Sequence, residues 1–173
     1  MLNPVHKIIK IVQTIFKIKF ERNGNFMKVQ DCMCNNTVCV KPETNIHDVA
    51  KLMGDNHIGC VPVCDNNGKI VGILTDRDII LRGIASEKDT KNTPVSDIMT
   101  TKVIRTSPDA EVKDVAYVMA QNQVRRIPVV MDEKVVGILT LGNLAQSSDM
   151  ENEKIGETLE CICNNGNSTK HQS

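Results

Sequence analysis

The stretch Val61-Pro-Val-Cys-Asp-Asn-Asn-Gly-Lys-Ile-Val-Gly-Ile-Leu-Thr-Asp-Arg-Asp78 returns, one residue shorter, as Ile127-Pro-Val-Val-Met-Asp-Glu-Lys-Val-Val-Gly-Ile-Leu-Thr-Leu-Gly-Asn143. In each copy a short apolar run meets a tight polar turn, a second apolar run follows, and a threonine stands three residues before an acid or amide. Two strands joined by so short a turn form an antiparallel hairpin. Pro62 and Pro128 lie inside the first strand of each hairpin, where a residue without an N–H implies an edge or irregular pairing.

Outward from the hairpins the duplication continues. At an offset of 66, Asp31-Cys-Met33 lies on Asp97-Ile-Met99, Pro42 on Pro108, Asp48-Val-Ala50 on Asp114-Val-Ala116, Met53 on Met119 and Asn56 on Asn122. Beyond the shortened turn the offset is 65, and Lys69 meets Lys134. Ile46, Val49, Ala50 and Met53 fall at i, i+3, i+4 and i+7, one face of a helix, and Val112, Val115, Ala116 and Met119 repeat the pattern. Short apolar segments at Val38–Val40 and Val103–Arg105 read as a first strand. After Thr75 the spacing predicts a helix that ends near Gly83, read as its C-cap. The unit is strand–helix–strand–strand–helix, so the fold class is mixed α+β with two βαββα repeats. A copy of about 60 residues buries too little surface to stand comfortably alone. The two are therefore expected to pack about a pseudo-two-fold axis with a cleft between them. The expected organisation is an extension over 1–26, repeat 1 over 27–83, a charged linker over 84–94, repeat 2 over 95–150 and a flexible polar tail over 151–173.

Composition narrows the function. The 173 residues carry no net charge, which leaves no global basic field for nucleic acid. Aromatic residues make up 2% of the chain, with no Trp, too few for base stacking. No apolar run reaches the ~18 residues of a membrane span. A cytoplasmic protein with neither nucleic acid nor membrane as partner is the expectation. Residues 1–26 differ from the rest: Lys7, Lys10, Lys17, Lys19 and Arg22 stand against Glu21, while Ile8, Ile11, Val12, Ile15 and Ile18 share a helical face. The segment reads as sequence upstream of a natural start at Met27, or a tail. A basic amphipathic helix on a membrane surface is the other reading, and a signal peptide fits poorly because lysines interrupt the apolar stretch.

The candidate chemistry sits at Gly72-Ile-Leu-Thr-Asp-Arg-Asp78 and Gly137-Ile-Leu-Thr-Leu-Gly-Asn143. A threonine at a strand-to-helix junction can donate to an anion, and an aspartate three residues on can accept from both hydroxyls of a ribose. The same Thr-x-x-Asp spacing is close to a capping box, which needs no ligand. The pattern leaves both readings open. No nucleophile elbow, metalloprotease helix or phosphate loop is present, so no catalytic residue is assigned.

Residues 27 to about 145 resemble a tandem pair of cystathionine-β-synthase-type (CBS) domains, a Bateman module of the stand-alone bacterial kind. The resemblance rests on Pro42 and Pro108, Val61-Pro-Val63 and Ile127-Pro-Val129, Gly72-Ile-Leu-Thr75 with Asp78, and Gly137-Ile-Leu-Thr140 with Asn143. It implies a regulatory protein, with no required cofactor, that binds an adenosine-containing ligand of the AMP, ADP or ATP type between the repeats. It also implies a homodimer that acts on a separate protein partner, and small stress- or hypoxia-associated proteins look closest. Carried over by position, Thr75 and Asp78 would hold ribose and phosphate at one site, and Thr140 and Asn143 at the other. Val61 and Ile127 would flank the adenine with backbone hydrogen bonds, and Val38 and Ile104 would close over the ring. Asn143 departs from the usual acid, so the second site is expected to hold ribose less well. Side chains alternate on a strand, so of Arg125 and Arg126 one faces the cleft, and Arg126 is the choice for phosphate. Arg77 and Arg82 are weaker candidates.

Seven cysteines are many for a chain of this size: Cys32, Cys34, Cys39, Cys60, Cys64, Cys161 and Cys163. Reduced thiols are the default. In the family the strands bearing Cys39 and Cys64 are neighbours, so these two form a candidate redox pair. Cys32-x-Cys34 with His57 or Cys60 supplies zinc-ligand types without the paired spacing of a strong site. The alternative function is thus a redox- or zinc-responsive dimer with vestigial nucleotide pockets.

Overall fold

A computed structural model describes residues 27–146 and 152–164; the expectations for residues 1–26 and 165–173 lie outside them. Repeat 1 contains α1 (Ile46–Asp55), β1 (Cys60–Cys64), β2 (Ile70–Thr75) and α2, which opens at Asp76–Asp78 and widens into π-helical turns over Ile79–Ile84. Repeat 2 contains α3 (Val112–Asn122), β3 (Arg126–Met131), β4 (Lys134–Thr140) and α4 (Leu141–Gln146), and α5 (Asn152–Asn164) follows.

Both hairpins form as the apolar runs predict. β1 pairs antiparallel with β2 and β3 with β4, each with a register shift just after the proline-bearing segment, at Val63/Cys64 and Val129/Val130. The first turn is held by Asp65, whose Oδ1 accepts from the Asn67 and Lys69 N–H groups at 2.9 Å, with Gly68 at φ 81°. The shorter second turn places Asp132 and Glu133 at φ 49° and 65°, the pair of left-handed residues that a tight hairpin turn requires.

The expected first strands shrink to one parallel bridge per repeat, Val40 with Val63 and Thr106 with Val129. The second falls one residue beyond Val103–Arg105, where the 66-residue offset from Val40 puts it. The prolines explain the brevity. The Val40 N–H donates to the Pro62 carbonyl at 3.0 Å, and the Thr106 N–H to that of Pro128 at 3.1 Å. Neither proline has a hydrogen to return to the carbonyl two residues earlier, at Val38 or Ile104, so the ladder stops there.

The repeats exchange their leading segments. The turn Val29–Asp31 precedes repeat 1 but docks on repeat 2: Val29 N–H donates to Ala110 O at 2.9 Å, and Cys34 and Ile138 trade both backbone bonds at 2.9 and 3.0 Å. Val95–Asp97 does the reverse, with Val95 N–H on Thr44 O at 2.8 Å and Thr100 and Ile73 trading bonds at 2.9 Å. The first N–H of each long helix, an orphan by geometry, finds a carbonyl of the crossing chain: Ile46 on Thr93 and Val112 on Met27, both at 3.0 Å. Two aliphatic cores result. One joins Val40, Ile46, Val49, Val61, Val63 and Leu74 to Val95 and Ile98; the other joins Val112, Val115, Met119, Ile127 and Leu139 to Val29. The antiparallel bridge from Lys69 to Lys134 links the hairpin tips, and Glu133 pairs with Lys69 at 3.0 Å and Arg105 at 3.4 Å.

Three expectations are corrected. Gly83 is not a C-cap: it is buried inside α2, where a Cβ would touch Ile46 Cδ1 at 3.6 Å and Ile98 Cδ1 at 3.9 Å. The left-handed residue past this helix is Glu87, at φ 55°. Residues 152–164, read as flexible tail, form a helix that buries Thr158 and Ile162 against α3 and α4. Its apolar residues are spaced for one helical face, a signal masked by the polar stretch after it. The same helix breaks the symmetry of the repeats: Ala116 is fully buried on α3, whereas its counterpart Ala50 on α1 is exposed.

Candidate functional site

Each hairpin delivers its threonine to the head of a helix. Thr75 is extended, at φ −116° and ψ 159°, and its Oγ1 accepts from the Asp78 N–H at 3.2 Å. In return the Thr75 N–H and hydroxyl donate to Asp78 Oδ2 at 3.0 and 2.6 Å. Repeat 2 copies the arrangement: Asn143 N–H to Thr140 Oγ1 at 3.1 Å, then Thr140 N–H and hydroxyl to Asn143 Oδ1 at 2.9 and 2.7 Å. The capping box is therefore built in both repeats, and the question becomes which atoms it leaves for a ligand.

Counting acceptors separates the two. A carboxylate oxygen accepts two hydrogen bonds, and Asp78 Oδ2 has both. Oδ1 remains, with only Arg82 Nη1 beside it at 3.4 Å. Asn143 has spent its one oxygen and has only its amide hydrogens left to offer. The first repeat thus presents an acceptor with charge, the second a neutral donor.

Arg126 and Arg125 diverge as strand alternation predicts. The Arg125 guanidinium reaches Cys163 Sγ on α5 at 3.6 Å. Arg126 instead reaches across to repeat 1. A Cβ on Gly59 would lie 2.7 Å from Asp76 Oδ2 and 3.4 Å from Arg126 Nη2, so both side chains approach this glycine and a larger residue there would have to displace the Asp76 carboxylate. The Gly59 carbonyl in turn accepts the Asp76 N–H at 3.3 Å. The structure therefore brings Asp76 and, from the other repeat, Arg126 to Gly59, next to the Thr75–Asp78 cap. Thr140 and Asn143 cap each other, and Thr140 stands opposite Arg126 in the β3–β4 register.

Val61 and Ile127 are fully buried core residues, so anything they give a ligand comes from the backbone. Val38 and Ile104 are half-buried, and Ile104 packs on the second core. The carbonyls of both are those the prolines cannot serve. Asp76, Gly59 and the pairing of Arg82 with Asp78 were missed in the sequence; the i, i+4 spacing of Asp78 and Arg82 was the available signal for the pair.

All seven cysteines are free thiols. Cys60, in register with Thr75, is buried beside the site, and burial pushes its thiol from 9.0 up to about 11. Cys64 and Cys39 are neighbours across the Val40–Val63 bridge; burial first, and the adjacent Cys39 thiol second, push Cys64 up to about 12. Among the described residues no group of three or more His, Cys, Asp or Glu is placed to hold a metal ion, and no helix there is long and apolar enough to cross a membrane.

Comparison with known proteins gives concordant matches. The family model for the CBS domain matches residues 29–85 and again 95–148. The CBS domain-containing protein YhcV of Bacillus subtilis is 40% identical over 134 residues, covering 78% of this chain and 94% of that protein. Among solved structures, the CBS domain pair of protein MJ0100, in complex with 5′-methylthioadenosine and S-adenosyl-L-methionine, superposes with a TM-score of 0.65 at 30% identity, covering 70% of this chain and 95% of that one. CBSX2 in complex with AMP gives 0.60 at 31% identity, with 69% and 93% covered.

Proposed function

From the premise that this chain belongs to the CBS domain family, as a tandem pair, we propose that it is a regulatory protein that binds an adenosine-containing ligand at the Thr75–Asp78 junction and transmits occupancy to a separate protein. The observation that carries this is the acceptor left at Asp78 Oδ1 on a junction whose neighbouring Gly59 is approached by a cation, Arg126, from the other repeat. A ribose diol needs the first and a phosphate the second. The adenosine ligands held by MJ0100 and CBSX2 support the chemical class. In this reading Val61 and Ile127 give backbone contacts to adenine, and Val38 and Ile104 close over the ring with carbonyls free of the ladder. Thr140 and Asn143 form a second, weaker site. No residue has a catalytic role, and the ligand acts by favouring one arrangement of the protein over another.

The assembly proposed is a cytoplasmic homodimer of units built from repeat 1 (27–83), linker (84–94) and repeat 2 (95–150). Ile80, Leu81 and Ile84 are 50–60% exposed on α2, a cluster of large apolar side chains that a second copy would cover. Thermal melts of the full chain with AMP, ADP, ATP, S-adenosylmethionine, NAD and cyclic di-AMP test the ligand class. Ligand at 100 times its dissociation constant stabilises by about 2.7 kcal/mol, several degrees for a protein this size. No shift with any of the six would refute the proposal. A second reading, a redox-responsive protein, is favoured only by the contact between Cys39 and Cys64.

A further inference from the structure

We infer that Asp76 is a specificity-determining residue of the first site: against Arg126, it sorts adenosine ligands by the sign of the charge carried at the 5′ carbon. The inference rests on the ligand reading above and deepens it, because it says which 5′ groups that site takes.

Two opposite charges converge on one point from different repeats. Asp76 Oδ2 and Arg126 Nη2 stand 2.7 and 3.4 Å from the place where a side chain on Gly59 would begin. Among the described residues neither group closes an ion pair. The other oxygen of Asp76, Oδ1, accepts the neighbouring Arg77 N–H at 2.8 Å, which leaves Oδ2 to face the site. The buried Cys60 thiol, next to Gly59 and in register with Thr75, lies in the field of the same charges. Burial raises its pKa most; Arg126 lowers it, and Asp76 and Asp78 raise it.

With ribose on Asp78 and the 5′ group on Arg126, whatever meets Arg126 Nη2 at Gly59 also meets Asp76 Oδ2. A phosphate is attracted by one and repelled by the other. A sulfonium, as in S-adenosylmethionine, responds in the opposite sense, and the amino-acid tail of that ligand offers an ammonium to Asp76 and a carboxylate to Arg126. A 5′ hydroxyl, uncharged, is indifferent to both. Specificity is a difference of affinities, and here one carboxylate sets its sign. Repeat 2 has no such carboxylate: the counterpart of Asp76 is Leu141, that of Arg126 is Cys60, and that of Gly59 is Arg125, which is turned to Cys163. The two junctions share the cap and differ in the charges around it, so the sorting belongs to the first site alone.

Asp76→Asn tests this, because it keeps the size of the side chain and the N–H that meets the Gly59 carbonyl and removes only the charge. Isothermal titration of the full chain at low salt, with AMP, S-adenosylmethionine and adenosine, reads the sorting. Asp76→Asn should bind AMP roughly two- to fivefold more tightly and S-adenosylmethionine more weakly by a similar factor, the size of one exposed ion pair, with adenosine unchanged. Arg126→Gln should weaken AMP and leave adenosine unchanged. The shifts should shrink at about 0.5 M salt. Shifts of the same sign for AMP and S-adenosylmethionine, as a merely structural role would give, overturn the sorting, and so does no shift at all. Either result leaves the ligand reading intact if Asp78→Asn still weakens adenosine. A wild-type chain that binds none of the three overturns the sorting, and the six-ligand melts decide separately whether the ligand reading falls with it.

Discussion

Asp78→Asn is the substitution that separates the two roles of the Thr-x-x-Asp motif, because the protein already contains its control. In repeat 2 an asparagine caps the threonine with bonds of 2.9 and 2.7 Å, against 3.0 and 2.6 Å for Asp78. An asparagine at 78 can therefore keep the cap with Oδ1 on Thr75. What it gives up is the second oxygen, and with it the Arg82 pair at 3.4 Å, an i, i+4 contact worth about 0.3–0.5 kcal/mol. The stability loss should thus stay near 0.5 kcal/mol, whereas Asp78→Ala, which keeps the Thr75 cap but also removes the two bonds that Asp78 Oδ2 accepts from Thr75, should cost about 1 kcal/mol or more. Binding responds differently. The ribose loses a hydrogen bond to a charged acceptor, worth about 1.5–3 kcal/mol, so affinity should fall roughly ten- to a hundredfold. Isothermal titration with the ligand found in the melts, beside denaturant unfolding of the same samples, reads both numbers. Unchanged affinity in Asp78→Asn would mean that the motif is a cap and nothing more. A loss of stability equal to that of Asp78→Ala would mean that the comparison with Asn143 is unsound.

Other consequences follow from packing and protonation. Gly72→Ala and Gly137→Ala each drive a Cβ into a methionine sulfur of the crossing segment, Met99 or Met33, and each should destabilise by about 1–3 kcal/mol in urea unfolding. Gly137→Ala should be the worse, because the Cys34 carbonyl oxygen, a backbone atom, also stands 3.0 Å from the new Cβ. Cys60 and Cys64 titrate above 9.0 in the fold, so the folded state holds their protons more tightly than the unfolded state does. Their contribution to stability is then flat below pH 9 and falls as pH rises toward 11 to 12, and a Cys60→Ala, Cys64→Ala double variant should lose most of that alkaline slope in thermal melts. Mild treatment with an organic disulfide should join Cys39 to Cys64, seen in peptide mapping as loss of two hydrogens. Cross-linking of Cys39 to any other thiol instead would remove the support for the redox reading.

Much of this architecture was legible because it is written twice. Repetition made weak signals strong: Val38–Val40 alone is three residues, yet its echo, read at Val103–Arg105, came within one residue of the bridge at Thr106. Apolar periodicity located α1 and α3, and turn residues located both hairpins. What the sequence hid was relational. Nothing in Val29 or Val95 tells a reader that each belongs to the other repeat's core, since an exchanged segment has the same composition as one that stays at home. The site shows the same limit. Thr75, Asp78, Thr140 and Asn143 could be named from spacing, but the direction of Arg126 toward Gly59 depends on how two hairpins meet. The Ala50 and Ala116 pair was read as equivalent, and only the helix at Asn152–Asn164 makes one buried and the other exposed.

The exchange also bears on how such a protein can report a ligand. Fully burying a valine is worth about 1.5–3 kcal/mol, and each core takes at least one from the other repeat's leading segment: Val29 in one, Val95 with Ile98 in the other. Removing either segment leaves the opposite repeat with a hole and an unpaired sheet edge, so neither repeat is an independent unit. For a domain stabilised by only 5–15 kcal/mol, terms of that size are enough to make the repeats one cooperative body. A ligand that changes the hold of α2 on Ile98 therefore acts on a residue shared by both. Coupling through a shared core needs no large motion, only a difference in how well the ligand fits two packings of the same segment. On the proposed ligand reading this is why the asymmetry between Asp78 and Asn143 matters: with the repeats already joined, ligand at the first site alone would be sufficient to inform the whole molecule.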